Sequence, residues 1–134
     1  MIHIPMCYCY KNFLNVGHKN KLEKFVVITT IFQLNLLNKY IQIFIDGAFK
    51  SCPKGYYQVL NIEGFYPDIN SIIPIFMVPC MGKAEYLYNE IFSQIKRIYL
   101  LTGHKKEEMS NHIMIDFERS LQKSIKKIFK KCYC

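Results

Sequence analysis

Two aspartates in this sequence stand directly after short apolar segments. Asp46 follows residues 41–45, in which isoleucines alternate with Gln42 and Phe44, and Asp116 follows residues 113–115. Alternation with a period of two is typical of a β-strand, so both carboxylates are predicted at the carboxyl ends of strands. If the two strands are adjacent and parallel, their spacing of about 4.8 Å brings the carboxylates close together.

Two carboxylates that converge in this way repel each other unless a cation lies between them, and Mg²⁺ or Mn²⁺ is the natural occupant for oxygen ligands. Two such ions about 3.5–4 Å apart form the core of a two-metal phosphoryl-transfer site. A purely structural interpretation stays open from the spacing alone, because Asp116 could cap a helix that begins at Phe117.

The elements that must position these aspartates are predicted from apolar periodicity and from breakers. Residues 1–24 carry no clear period, which indicates a poorly ordered segment before a single domain over residues 25–134. Pro74 has no backbone donor, which predicts an edge strand around it. The pattern predicts strands over residues 25–28, 41–46, 56–63, 72–79 and 113–116, and helices over residues 31–40 (with Thr30 as N-cap), 84–101 (closed by Gly103) and 117–129.

Two sequence blocks resemble the catalytic core of Mutator-like element (MULE) transposases. The first is IDGAFK at residues 45–50, followed by CP at 52–53 and YQVL at 57–60, and it is similar to a block that opens with Asp-Gly-Thr-Phe. The second is IDFE at residues 115–118, followed by Leu121 and Ile125, and it is similar to the Asp-Phe-Glu block. The likeness covers about residues 25–129, and two ordered blocks are more specific than either alone.

The resemblance implies an α/β, ribonuclease-H-like fold, built as a three-stranded antiparallel meander plus a parallel strand with flanking helices, and incomplete at its C-terminus. It implies that Asp46 and Asp116 are catalytic and metal-binding, as the first two acids of an Asp-Asp-Glu triad that uses Mg²⁺ or Mn²⁺. Glu118 is then a neighbouring structural acid. Ala48 replaces the usual threonine of the first block, and no residue of this sequence corresponds to the third acid.

The implied ancestral activity is metal-dependent cleavage and strand transfer of DNA in the nucleus, and we expect it to be absent from this truncated chain. A non-catalytic DNA-binding or interaction protein, domesticated or a decaying transposon fragment, is the alternative.

The charge balance independently favours a polyanionic partner such as DNA. The chain of 134 residues has 18 Lys and Arg against 10 Asp and Glu, a net charge of +8, and such an excess attracts phosphates and releases their counterions. Most of these cations are lysines, which contact phosphate without the geometry that reads a base, so sequence-independent binding is expected. A solvated helix face is the alternative interpretation of the lysine cluster in the last helix: Lys123, Lys126, Lys127, Lys130 and Lys131.

The cysteines and histidines predict little further chemistry. The start of the chain lacks the basic region of a signal peptide, and Pro5 interrupts its apolar residues. The apolar stretches are also shorter than the roughly 20 residues of a membrane span. We therefore expect a soluble intracellular protein with reduced cysteines. The pairs Cys7/Cys9 and Cys132/Cys134 leave a zinc site open, although their spacing is shorter than usual. The four histidines are scattered without a nucleophile arrangement.

Overall fold

Strands and helices alternate along the chain in the computed structural model of the protein. The structure describes residues 7–16, 21–37, 41–50, 52–105, 112–115 and 118–129, with backbone alone described for residues 7–16 and 21–24. The elements in chain order are β1 (Cys7–Val16), β2 (Lys21–Thr30), α1 (Ile31–Leu36), β3 (Gln42–Ala48), β4 (Gln58–Tyr66), a 3-10 turn (Pro67–Ile69), β5 (Ser71–Cys80), α2 (Glu85–Leu101), β6 (His112–Ile115) and α3 (Arg119–Phe129).

The described strands form one mixed sheet in the order β1-β2-β5-β4-β3-β6. Strands β3, β4 and β5 are an antiparallel meander, as predicted. The chain then crosses over through α2 and returns as β6, which pairs with β3 in parallel. A parallel neighbour requires such a crossover because its two strands begin at the same end of the sheet. The α/β class and the meander followed by a parallel strand are therefore confirmed.

The helix boundaries follow from caps that the sequence carries. The Thr30 hydroxyl accepts a hydrogen bond of 3.1 Å from the Gln33 amide and starts α1 as predicted, since an N-cap side chain satisfies an amide that the helix leaves free. This helix ends at Leu36, earlier than the predicted residue 40. Helix α2 spans its predicted range and ends before Gly103, whose φ of 91° is the left-handed conformation that glycine adopts readily.

The helices pack on one face of the sheet. On β3, Ile43 and Ile45 are buried and line a small apolar cavity together with side chains from all three helical regions, including Leu37, Phe92 and Phe129. Because side chains alternate along a strand, Phe44 and Asp46 lie on the opposite face. That face carries exposed methionines on two other strands, Met77 on β5 and Met114 on β6.

The predicted edge position of the Pro74 strand is wrong. Strand β5 lies between β4 and β2, and its pairs with β2 are Phe25↔Cys80 and Ile28↔Met77, both beyond the proline. Pro74 itself lies at a register shift opposite Glu63, and its carbonyl accepts a hydrogen bond of 3.0 Å from the Gln33 side chain. A proline removes one donor from the ladder, so pairing resumes where donors return.

One further expectation differs from the structure. Residues 7–16 and 21–24 were expected to be poorly ordered, whereas they lie in the paired strands β1 and β2. Backbone ladder bonds form regardless of side-chain periodicity, which is why the sequence pattern missed this hairpin. At the other side of the described sheet β6 is the last strand, and Met114 on it is exposed.

Candidate functional site

The parallel ladder between β3 and β6 leads directly to the two aspartates. Its pairs run from Gln42↔His112 to Ile45↔Ile115, so the strands are adjacent and in the predicted orientation. Asp46 is exposed and is the next residue of β3 after the last pair. Asp116 lies outside the described residues, so the separation of the two carboxylates stays a prediction.

Asp46 lies within β3 and not at its end as predicted. The strand continues through Gly47 and Ala48, which pair with β4, and Asp46 lies opposite Asn61. Residues opposite each other in an antiparallel pair have Cβ atoms about 4.5–5.5 Å apart on the same face. The half-buried Asn61 therefore places an amide, with one hard oxygen donor, beside the Asp46 carboxylate. Asn61 was not predicted from the sequence, because its place beside Asp46 depends on the register of the β3–β4 pairing.

This region of the sheet is also where several elements begin or end. Because β3, β5 and β6 run in the same direction, their carboxyl ends lie together, and both α2 and α3 start from that end. A helix amino terminus carries a partial positive charge from its unpaired amides. The Asp46 end of the sheet thus combines acidic side chains with helix termini that favour anions.

A buried chain of hydrogen bonds lies beneath this end, on the helix-covered face. The Gln58 side-chain amide donates to the Tyr88 hydroxyl at 2.8 Å and to the Gly82 carbonyl at 2.9 Å. The Tyr88 hydroxyl in turn donates to the Glu118 carboxylate at 2.8 Å. These hydrogen bonds therefore connect β4 to α2 and to the residue just before α3. The sequence did not predict these contacts among Gln58, Tyr88 and Glu118, because they depend on how α2 packs.

Burial keeps the Tyr88 hydroxyl of this hydrogen-bonded network protonated. It is the main cause that raises the pKa of Tyr88 well above its usual range, and the hydrogen bond to Glu118 raises it further while the bond from Gln58 lowers it. The hydroxyl is therefore a stable donor to Glu118. Burial likewise raises the pKa of the nearby Cys80 thiol to about 12, so this cysteine is a small apolar core residue and not a nucleophile.

Gly47 packs directly against the Gln58 side chain of this hydrogen-bonded network. A Cβ built at Gly47 would overlap the Gln58 Oε1 atom, and Gln58 is fully buried. Among the described residues this oxygen has no hydrogen-bond partner. The glycine after Asp46 thus has a packing role, because it lets the strand lie against the amide that supports Tyr88.

Helix α3 presents a basic face to solvent. Arg119, Lys123, Lys126 and Lys127 are exposed, whereas Leu121 and Ile125 are buried against the core. Positions separated by three, four, seven and eight residues share one side of a helix, so the four cations form a stripe. Lys130 and Lys131, which were predicted to extend it, lie outside the described residues.

The remaining candidates add no second centre within the described ranges. No group of three or more His, Cys, Asp or Glu that could hold a metal occurs there. The side chains of Cys7 and Cys9, and all of Cys132 and Cys134, fall outside those ranges. No helix in the described part of the chain is long and apolar enough to cross a membrane. Comparison of the chain with protein-family models, curated proteins and solved structures found no match.

Proposed function

We propose that the chain is a DNA transposase-derived domain of ribonuclease-H-like fold that binds DNA, with metal-dependent DNA cleavage and strand transfer as its ancestral reaction. The observation that carries this proposal is the parallel β3–β6 ladder, whose last described pair is Ile45↔Ile115. One further pair in the same register would set Asp46 beside Asp116 on one face of the sheet, since neighbouring strands are about 4.8 Å apart.

The oxygen donors at this point suit a hard divalent cation. Asp46 and Asp116 would hold Mg²⁺ or Mn²⁺, and Asn61, directly opposite Asp46 on β4, carries a neutral amide oxygen that could join them. When bound, the ion supplies charge neutralisation for phosphate oxygens. The sequence resemblance assigns two acids of three, so we expect these 134 residues to bind DNA without cleaving it.

The basic stripe of α3 is the proposed contact with the DNA backbone. Residues 119 to 127 span about 12 Å of helix axis at 1.5 Å per residue. Duplex DNA carries one charge per roughly 1.7 Å, so a stripe of this length faces several phosphates. The buried positions of this helix anchor the stripe to the core, which fixes the cations relative to the sheet.

The test of DNA binding is fluorescence anisotropy with a labelled duplex of about 20 base pairs at several salt concentrations. We expect the triple variant Lys123→Gln, Lys126→Gln, Lys127→Gln to bind more weakly, and its salt slope to fall by up to about 2.7, at about 0.9 for each lost phosphate contact. The matched control replaces the same lysines by arginine and keeps the slope. An unchanged slope in the glutamine variant would exclude α3 as the interface.

A second candidate function is supported by the same stripe, because its cations do not depend on the two aspartates. In that case the chain is a non-catalytic DNA-binding protein with no divalent ion at Asp46. Duplex incubated with Mg²⁺ or Mn²⁺ stays intact under both hypotheses. Cleavage that disappears in Asp46→Asn would contradict the expected inactivity and favour a working nuclease centre.

A further inference from the structure

The connection between β3 and β4 exposes two aromatic rings at the Asp46 end of the sheet. Phe49 and Tyr57 are 52% and 45% exposed. Their ring centroids are 5.4 Å apart and the ring planes are nearly perpendicular, at 83°. An edge-to-face pair of this kind supports its rings mutually, so part of their apolar surface is held in solvent in a defined arrangement.

Backbone hydrogen bonds define the Tyr57 side of this connection. The Tyr56 amide donates to the Pro53 carbonyl at 3.2 Å, and Gly55 has a φ of 94°. This combination is a turn whose third residue needs a positive φ, for which glycine is suited. The Tyr57 amide donates to the Cys80 carbonyl at 2.9 Å, which ties the loop to the end of β5. These bonds position Tyr57, whose ring packs against Phe49.

Three lysines lie in the two connections that carry or adjoin this aromatic pair. Lys50 follows Phe49 directly in the sequence, and Lys54 lies in the turn that precedes Tyr57. Lys83 lies in the connection from β5 to α2. The Gln58 side chain, directly after Tyr57, donates to the Gly82 carbonyl of this connection. All three lysines are exposed. We call this set the loop platform: Phe49, Lys50, Lys54, Tyr57 and Lys83.

We propose that the loop platform binds single-stranded nucleic acid, with unpaired bases stacked on Phe49 and Tyr57 and phosphates held by the three lysines. Stacking on an aromatic face requires a base that is free of its partner strand, because duplex bases are already stacked on each other. Exposed lysines in the same loop as exposed rings supply the two kinds of contact, to phosphate and to base, that a single strand offers. The site is separate from the α3 stripe and extends the proposed DNA binding to unpaired strands.

The test compares a labelled oligothymidylate of about 15 nucleotides with a blunt duplex of the same length. We expect Phe49→Ala and Tyr57→Ala each to weaken single-strand binding by about 5- to 150-fold, the range that loss of one stacked base gives, and to change duplex binding less than twofold. Tyr57→Phe keeps the ring and should retain the affinity. Phe32→Ala is the matched control, because Phe32 is 64% exposed on α1 at the opposite end of the sheet.

The outcomes separate this site from the α3 interface. Alanine variants that weaken both ligands equally, or neither, overturn the loop platform. If the α3 glutamine variant binds duplex normally while Tyr57→Ala loses the single strand, the platform stands and the α3 interface fails. Circular dichroism of each variant confirms folding, and Tyr57→Phe losing affinity as strongly as Tyr57→Ala would also contradict base stacking.

Discussion

Replacement of Tyr88 by phenylalanine removes one buried hydroxyl and leaves the ring in place. The hydroxyl accepts from Gln58 and donates to Glu118, each at 2.8 Å. A hydrogen bond to a charged group contributes about 1.5–3 kcal/mol, and one between neutral groups about 0.5–1.5 kcal/mol. Glu118 is half-buried and regains some water in the variant, which reduces the loss. We therefore expect the free energy of unfolding to fall by about 2–3 kcal/mol.

The assay is urea unfolding of wild type and Tyr88→Phe, followed by far-UV circular dichroism at neutral pH. Tyr57→Phe is the control: Tyr57 is 45% exposed, and surface changes usually alter stability by less than about 0.5 kcal/mol. A Tyr88→Phe variant as stable as this control would show that the Gln58–Tyr88–Glu118 chain does not hold the start of α3 against the sheet.

Three further outcomes follow from the same region and from α1. Gly47→Ala should lower the free energy of unfolding by about 2–4 kcal/mol in urea melts, because its Cβ displaces the buried Gln58 amide; wild-type stability would refute that packing. Iodoacetamide at pH 8 should modify the half-buried Cys52 before the buried Cys80, whose pKa is raised to about 12 by burial, and peptide mass mapping showing the reverse order would contradict this. Burial also raises the pKa of Tyr66 to about 12, above its unfolded value of about 10. The contribution of the neutral Tyr66 side chain to the free energy of unfolding is therefore complete below pH 10 and is lost as the pH rises towards 12. Tyr66→Phe should flatten the fall in the free energy of unfolding that urea melts measure across that range.

Local patterns were sufficient where one helix face or one cap determines the element. The apolar spacing of α2 and the glycine after it predict both ends of that helix to within a residue. The order of strands and helices also predicts that β6 returns parallel to β3, because a helical crossover brings the chain back to the same end of the sheet. These features depend on residues close together in sequence.

Features that depend on distant partners were not predictable in the same way. The position of Asp46 inside β3 follows from the pairs Asp46↔Asn61 and Gly47↔Leu60, and the role of Gly47 follows from a glutamine on the next strand. The place of β5 inside the sheet depends on β2, whose pairing lies beyond the proline that suggested an edge. Registers of this kind are determined by three-dimensional packing and not by the period of one segment.

The central claim, a divalent-ion site held by Asp46 and Asp116 beside the β3–β6 ladder, is tested most directly by Mn²⁺ paramagnetic relaxation in NMR spectra of the labelled protein. Substoichiometric Mn²⁺ should broaden the amide signals of residues 45–48 and 115–116 first, and Asp46→Asn should abolish this while Asp68→Asn, in the distant turn between β4 and β5, should not. Broadening that is absent, lies elsewhere, or persists in Asp46→Asn would contradict the site.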